Sequence, residues 1–205
     1  MNIFKTHKSA VQSALWLPDK LVVKMGTETV QLLATCFTLD RLSQNDCPKT
    51  KTGKSRGHFN PKHPSAIWTR QSKSNMLWLI DHCEAIFQEK YRRYPNGGRH
   101  FSHDFLDWVK ENLNDSNVND GDETELLPAI ADGNNCKKVV DKFDSLPIVT
   151  RYRLYMKLDK AYATWKQNRP DWMDWSIEGI TSGGDCNDQK QALELAISES
   201  KFKTC

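Results

Sequence analysis

The chain has 205 residues, 27% charged and 38% hydrophobic, with a net charge of +3 and six cysteines. That length suits one well-buried domain rather than two large ones, and so small a net charge does not by itself mark a nucleic-acid binder. The cysteines make no C-x-x-C pair, no histidines stand at zinc-finger spacing, and no stretch approaches the roughly 20 apolar residues of a membrane span or forms an apolar leader. Disulfide scaffold, zinc module and membrane protein are thereby set aside, and a reduced, soluble, intracellular protein with no membrane partner is expected.

Helical periodicity dominates and no run of alternating β-branched residues occurs, so the expected class is all-α. The expected architecture is a single globular helical domain over residues 1–205, of about six to seven helices with long irregular loops. Residues 9–17 read as a first helix ending before Pro18, and Pro18-Asp19 starts a long helix over about 19–42. Along it Val22, Met25, Thr29, Leu32, Leu33 and Cys36 form a core stripe. Lys20, Lys24, Glu28 and Gln31 fall on the other side, within an arc of roughly 80°. This face is either solvated, with Lys24 and Glu28 as an i,i+4 pair contributing about 0.2–0.5 kcal/mol, or a polar wall that offers both donors and acceptors. Gly26 inside the helix costs about 1 kcal/mol relative to Ala, which suits the close approach of another backbone or a ligand.

A basic loop over residues 43–63 follows, inserted into the domain. Pro64 suits the first turn of a helix 64–73, and Ser74 is positioned to cap the next, about 75–93, with Met76, Leu79, Ile80, Cys83, Ile86, Phe87 and Tyr91 facing inward. Ser102 reads as the N-cap of a helix 103–113 carrying Phe105, Trp108 and Val109 on its inner face. The acidic, Asn-rich stretch 114–136 has the composition of a second, exposed insertion. Thr150 caps a helix 151–168 closed by Arg169-Pro170. Trp165, Trp172 and Trp175 around that dipeptide pin the chain end to the core. A flexible Ser182-Gly183-Gly184 linker leads to a last helix, 188–203.

Charge is segregated along the chain. From Cys47 to Ile80 there are seven Lys or Arg residues and no Asp or Glu, whereas from Glu111 to Glu125 there are six acids and no Lys or Arg. Arg56, Lys62 and Arg70 of the basic stretch are candidate phosphate ligands, as are Arg153, Lys157 and Lys160, which share one side of the 151–168 helix. His63 and Trp68, with Asn75 and Trp78 beyond them, lie where the acid-free stretch turns helical. An imidazole and an indole beside cations can stack on a base and neutralise phosphate. The bland alternative is that both tryptophans are core and that His63 bonds a neighbouring backbone group. No zinc-protease, Walker, nucleophile-elbow or dinucleotide-binding motif is present, so no metal and no cofactor are expected.

Met1-Asn-Ile-Phe4, Asp19-Lys20-x-x-x-Lys24-Met25-x-x-Glu28-x-x-Gln31, His63-Pro64-x-x-x-Trp68, Asn75-x-x-Trp78-Leu79 and Tyr152-x-x-Tyr155 with Lys160 and Trp165 together resemble a group of small helical bacteriophage proteins. That group is similar to the DNA-glycosylase-like enzymes of thymine hypermodification, the α-glutamyl/putrescinyl thymine pyrophosphorylases. The resemblance covers about residues 1–95 and 150–172, and it leaves 43–62 and 114–136 unmatched. It implies a phage DNA-base-modifying enzyme in the cytoplasm of the infected host, acting on a modified thymine in DNA by glycosylase-like or 5-methylene group-transfer chemistry. Glu28 and Lys24 would then be catalytic, Glu28 as general base. Lys20 and Lys24 would hold phosphate, and Gln31, His63, Trp68 and Asn75 would line a flipped-base pocket. That reading expects Lys20, Lys24, Glu28, Gln31 and His63 to converge on one concave site. The alternative is a non-catalytic protein that binds or sequesters a nucleotide or nucleotide-derived signal, which expects a cavity of small-molecule size.

Overall fold

The first helix, α1 (Ala10–Leu15), is capped by Ser9, whose hydroxyl accepts from the Gln12 N–H. After the break at Pro18, α2 (Asp19–Ala34) buries Val22, Met25, Thr29, Leu32 and Leu33, the stripe expected from its periodicity. The computed structural model describes residues 2–160 and 162–182, and among them the protein is all-α, with nine α-helices and no strand. The expected helix 188–203 and the glycines of the linker before it lie outside the described residues.

Helix α2 stops at Ala34, short of the expected 42. The N–H groups of Thr35, Cys36 and Phe37 turn to the carbonyls three residues back, and the Thr35 hydroxyl also donates to Leu32 O, which closes the ladder. Thr38 then caps a separate short helix, α3 (Leu39–Ser43), by accepting from Arg41 N–H.

Helix α4 (Pro64–Gln71) begins at His63, and α5 (Lys73–Arg93) is capped by Ser72 rather than by Ser74. The Ser74 hydroxyl donates instead to Gly121 O. Helix α5 is the central element and packs against α1, α2, α4 and α6 (His103–Glu111). Its inward face follows the expected stripe as far as Phe87, but Tyr91 is 59% exposed. The last turn buries Glu89 and Arg93 instead, which swings the inner face away from Tyr91.

Arg93 explains that rotation. Its guanidinium donates to Leu15 O and Leu17 O at 2.8 Å each, to Asp19 Oδ1 at 3.0 Å and to Glu89 Oε1 at 2.7 Å. It thus satisfies carbonyls left over at the end of α1 and ties them to the start of α2. Asp19 Oδ1 in turn accepts from Lys166 N–H, and Trp165 Nε1 donates to Trp16 O at 2.9 Å. Trp172, 1% exposed, meets Trp16 edge-on. These contacts pin the C-terminal part of the described chain to the core.

The acidic stretch is a strap rather than a loose insertion. Residues 117–130 form no helix or strand, yet Asn117 N–H donates to Cys36 O and Asn119 O accepts from Lys73 N–H. Asn75, fully buried on α5, holds Thr124 twice: its Nδ2 donates to Thr124 Oγ1 at 2.7 Å, and its Oδ1 accepts from Thr124 N–H at 2.9 Å. Beyond the strap come α7 (Asn135–Val139), α8 (Ile148–Asp159) and α9 (Ile177–Thr181). Helix α8 starts after Pro147, two residues before the expected cap at Thr150, and ends at Asp159 rather than at 168. The Asp159 carboxylate is engaged by the N–H groups of Asn135 and Cys136 at the start of α7.

Candidate ligand-binding cleft

Helix α2 has a second face, built from Val23, Thr27, Val30, Gln31 and Ala34, which forms the floor of a cleft of about 840 Å³. At 100° per residue this face is centred roughly 80° around the helix from the Lys20, Lys24, Glu28 stripe, and Gln31 lies on the edge common to both. Val23 is 46% exposed, an apolar side chain left on view because the floor has no helix packed over it.

Two loops complete the cleft. The basic loop after α3 brings Thr50, Lys51 and the run Arg56-Gly57-His58-Phe59, while the end of α5 and the turn after it bring Lys90 and the run Arg99-His100-Phe101-Ser102. Phe59 and Phe101 are 57% and 49% exposed. Four cations and two exposed rings therefore line one concavity, and no Asp or Glu lines it.

Each wall is held by specific contacts. Arg56 lies over the Phe105 ring at 4.1 Å and donates from Nε to Pro48 O at 2.9 Å. His58 Nε2 meets Phe37 O at 2.8 Å, so this nitrogen carries the proton and donates. Across the floor, His100 stacks on Phe87 with ring centroids 4.7 Å apart, and its Nδ1 accepts from Ser102 N–H. Burial, helped by the charges of Lys90 and His103, pushes the His100 imidazole down to about 4. At neutral pH it is uncharged, with its proton on Nε2 as a donor. Arg99 is partly neutralised, since it donates to Asp104, to Asp107 at 2.5 Å and to His103 Nδ1 at 2.9 Å.

Of the residues singled out in the sequence, the cleft takes in Gln31 and Arg56. Lys20 is exposed and lies 5.7 Å from the Tyr162 ring, where Lys160 also sits at 5.8 Å, so these two cations meet on the surface around one tyrosine. Lys24 is 65% exposed at its side chain and pairs with Glu28 at 3.0 Å. Glu28 acts on the half-buried His63, whose pKa burial lowers against the pull of that carboxylate. His63 Nδ1 accepts from Ser65 N–H and so caps α4. Trp68, 1% exposed, donates from Nε1 to Thr124 O, and Asn75 is committed to the strap. Lys62 is exposed on the basic loop, and Arg70 donates to Pro61 O. Arg153, 3% exposed, donates to Thr6 O and faces Trp16 and Trp172, while Lys157 donates to Met173 O. Of the five residues expected on one site, Lys24, Glu28 and His63 neighbour one another on the polar face, Gln31 lines the cleft, and Lys20 lies at Tyr162.

The cleft escaped the sequence reading because its floor is made of Val, Thr and Ala at helical spacing, which looks like core. A signal was nonetheless available: Arg56-x-His58-Phe59 and Arg99-His100-Phe101 are two copies of one set of residue types, each following or enclosing a glycine.

A smaller cavity of about 260 Å³ adjoins the cleft through Arg99 and His100 and includes Phe87, Tyr91 and His103. Nearby, Glu84, His103 and Asp107 place one potential metal-ligand atom each within 4.8 Å of one another. Arg99 bonds Asp107, and Lys110 bonds Glu84 at 2.6 Å, so the protein's own cations already answer those carboxylates. Among the described residues no helix is long and apolar enough to cross a membrane. Comparison of the chain with protein-family models, with curated proteins and with solved structures found no match.

Proposed function

We propose that the protein binds a nucleotide, free or as an exposed unit of DNA, in the cleft on α2. The observation that carries this reading is the lining: Lys51, Arg56, Lys90 and Arg99 with no carboxylate, beside the exposed rings of Phe59 and Phe101. Lys51, Arg56 and Lys90, cations with no paired carboxylate among the described residues, favour phosphate, and an exposed aromatic face in a polar cleft favours the flat face of a base. Gln31 offers both a donor and an acceptor for a base edge, and the neutral His100 adds a donor. A volume of about 840 Å³ lies within the range of small-molecule pockets, roughly 300–1,000 Å³.

The base-modifying activity implied by the phage resemblance would need a group to move a proton at the bound base. Glu28, the residue suited to that role by type, is engaged with Lys24 and His63 on the neighbouring face of α2. Recognition therefore has more support than catalysis, and the same cleft would serve either.

The test is calorimetric titration with each deoxynucleoside monophosphate. Saturable binding is expected, weakening as salt rises because exposed charges are screened. A Lys51→Ala/Lys90→Ala double variant should lower affinity by about 10-fold, in line with two partly screened phosphate contacts. Absence of binding to every nucleotide at low salt would overturn the proposal.

A further inference from the structure

The cleft is lined by two matching sets. One loop supplies the guanidinium of Arg56, the imidazole of His58 and the exposed phenyl of Phe59, and the other supplies Arg99, His100 and Phe101 in the same order. A second cation accompanies each set, Lys51 on one side and Lys90 on the other. Among the described residues no carboxylate pairs with Lys51, Arg56 or Lys90, which leaves at least one uncommitted positive charge on each side even though Arg99 is engaged by Asp104 and Asp107.

A single mononucleotide has one base and one phosphate group, and it would leave one ring and one of the two cation pairs unused. An exposed phenyl left unstacked is an apolar surface facing water. The cleft volume also lies toward the upper end of the range for small-molecule sites, with a smaller cavity opening beside it at Arg99 and His100. The neutral His100, spending Nδ1 on Ser102 N–H, and His58, spending Nε2 on Phe37 O, present opposite characters to a ligand: a donor on one side and an acceptor on the other.

We infer that the cleft takes two nucleotide units joined by a phosphodiester, one base against Phe59 and the other against Phe101, with the phosphates between Lys51 and Arg56 on one side and Lys90 on the other. This rests on the nucleotide-binding reading above. The shared chemistry is a dinucleotide, which reaches a protein either as a free molecule or as part of a single strand.

The experiment titrates the intact protein with dTMP, with the dinucleotide pTpT and with the oligonucleotide dT10, and repeats pTpT with Phe59→Ala and Phe101→Ala. Both phenylalanines are largely exposed, so neither variant disturbs the core, and circular dichroism checks this. The expectation is one pTpT per chain, bound at least about 10-fold more tightly than dTMP, with each substitution weakening pTpT by about 5- to 150-fold, the range for loss of one base–aromatic stack. Tighter binding of dT10 than of pTpT identifies a strand as the source, and equal binding identifies the free dinucleotide. Binding of dTMP as tight as pTpT, or a pTpT loss on substituting only one ring, overturns the two-unit inference while leaving nucleotide binding in place. Failure of all three ligands to bind overturns both.

Discussion

Replacing Gly26 by Ala tests how α2 and the cleft are coupled. An ideal Cβ at this position would lie 2.6 Å from Phe87 Cε1 and 3.1 Å from its Cδ1. Carbon atoms in contact normally sit about 3.5–4.0 Å apart, so the ring would have to retreat by about 1 Å. Phe87 is 4% exposed, stacked on His100 and part of the wall of the adjoining cavity of about 260 Å³, so a retreating ring moves against the imidazole or into that cavity. Two effects oppose each other. Ala gains about 1 kcal/mol of helix propensity over Gly, whereas overpacking a filled core costs about 1–3 kcal/mol. Because the obstacle is the edge of a rigid buried ring, the second effect wins, and Gly26→Ala is expected to lose up to about 2 kcal/mol. At roughly 2–4 °C per kcal/mol for a chain of this size, Tm should fall by up to about 8 °C in a calorimetric scan. Phe87→Leu in the Gly26→Ala background should recover part of the loss. A Gly26→Ala protein that melts higher than the parent would refute the close-packing account, since propensity alone would then be operating.

Other expectations follow from the buried polar groups. Arg93→Ala leaves the carbonyls of Leu15 and Leu17 without their donor, while Glu89 keeps Arg92 and Asn168, and urea unfolding should register a loss of about 2–5 kcal/mol, at about 1–3 kcal/mol for each buried acceptor left unsatisfied. Asn75→Ala removes two of the bonds that hold Thr124, leaving those to Trp68 and Gln71, so limited proteolysis should cut the acidic strap near 115–125 faster than in the parent while far-UV circular dichroism stays helical. His82, 1% exposed with its Nδ1 donating to Ala10 O, is pushed by burial from 6.5 down to about 4. The unfolded chain takes up this proton first, so the stability contributed by neutral His82 is fully present above pH 6.5 and is lost as pH falls toward 4. The loss is about 3 kcal/mol. Stability measured by urea at pH 7 and at pH 4.5 should drop by less in His82→Asn than in the parent.

The elements legible in the sequence were those dictated by local physics. The core stripe of α2, the proline start of α4 and the inward face of α5 as far as Phe87 follow from periodicity and capping chemistry. What escaped notice was decided by partners distant in sequence. The end of α2 at Ala34 depends on Thr35 and on a strap that reaches Cys36 O from Asn117. Asn75 and Trp68 looked like base-reading groups because an amide and an indole are chemically suited to the task. Their hydrogen-bonding capacity is instead taken by Thr124, some 49 and 56 residues away in the chain. Likewise Arg153 and Lys157 share a helix side with a cationic pattern, but backbone carbonyls of Thr6 and Met173 hold them. The polar stripe of α2 follows directly from its residue types, with Lys20 and Lys24 exposed and Lys24 paired with Glu28. Its neighbour face, apolar in composition, is the one that opens onto the cleft.

The central claim is that a nucleotide occupies the cleft between Phe59 and Phe101. Labelling the phenylalanine rings with ¹³C and following them by NMR during titration with pTpT tests it most directly, with the tryptophan indole N–H signals as internal controls. The ring resonances of Phe59 and Phe101 should move together and saturate, while the indoles of Trp68 and Trp165, bonded to Thr124 O and Trp16 O, stay in place. Movement of Trp165 without movement of Phe59 and Phe101 would place the ligand elsewhere on the protein and contradict the account.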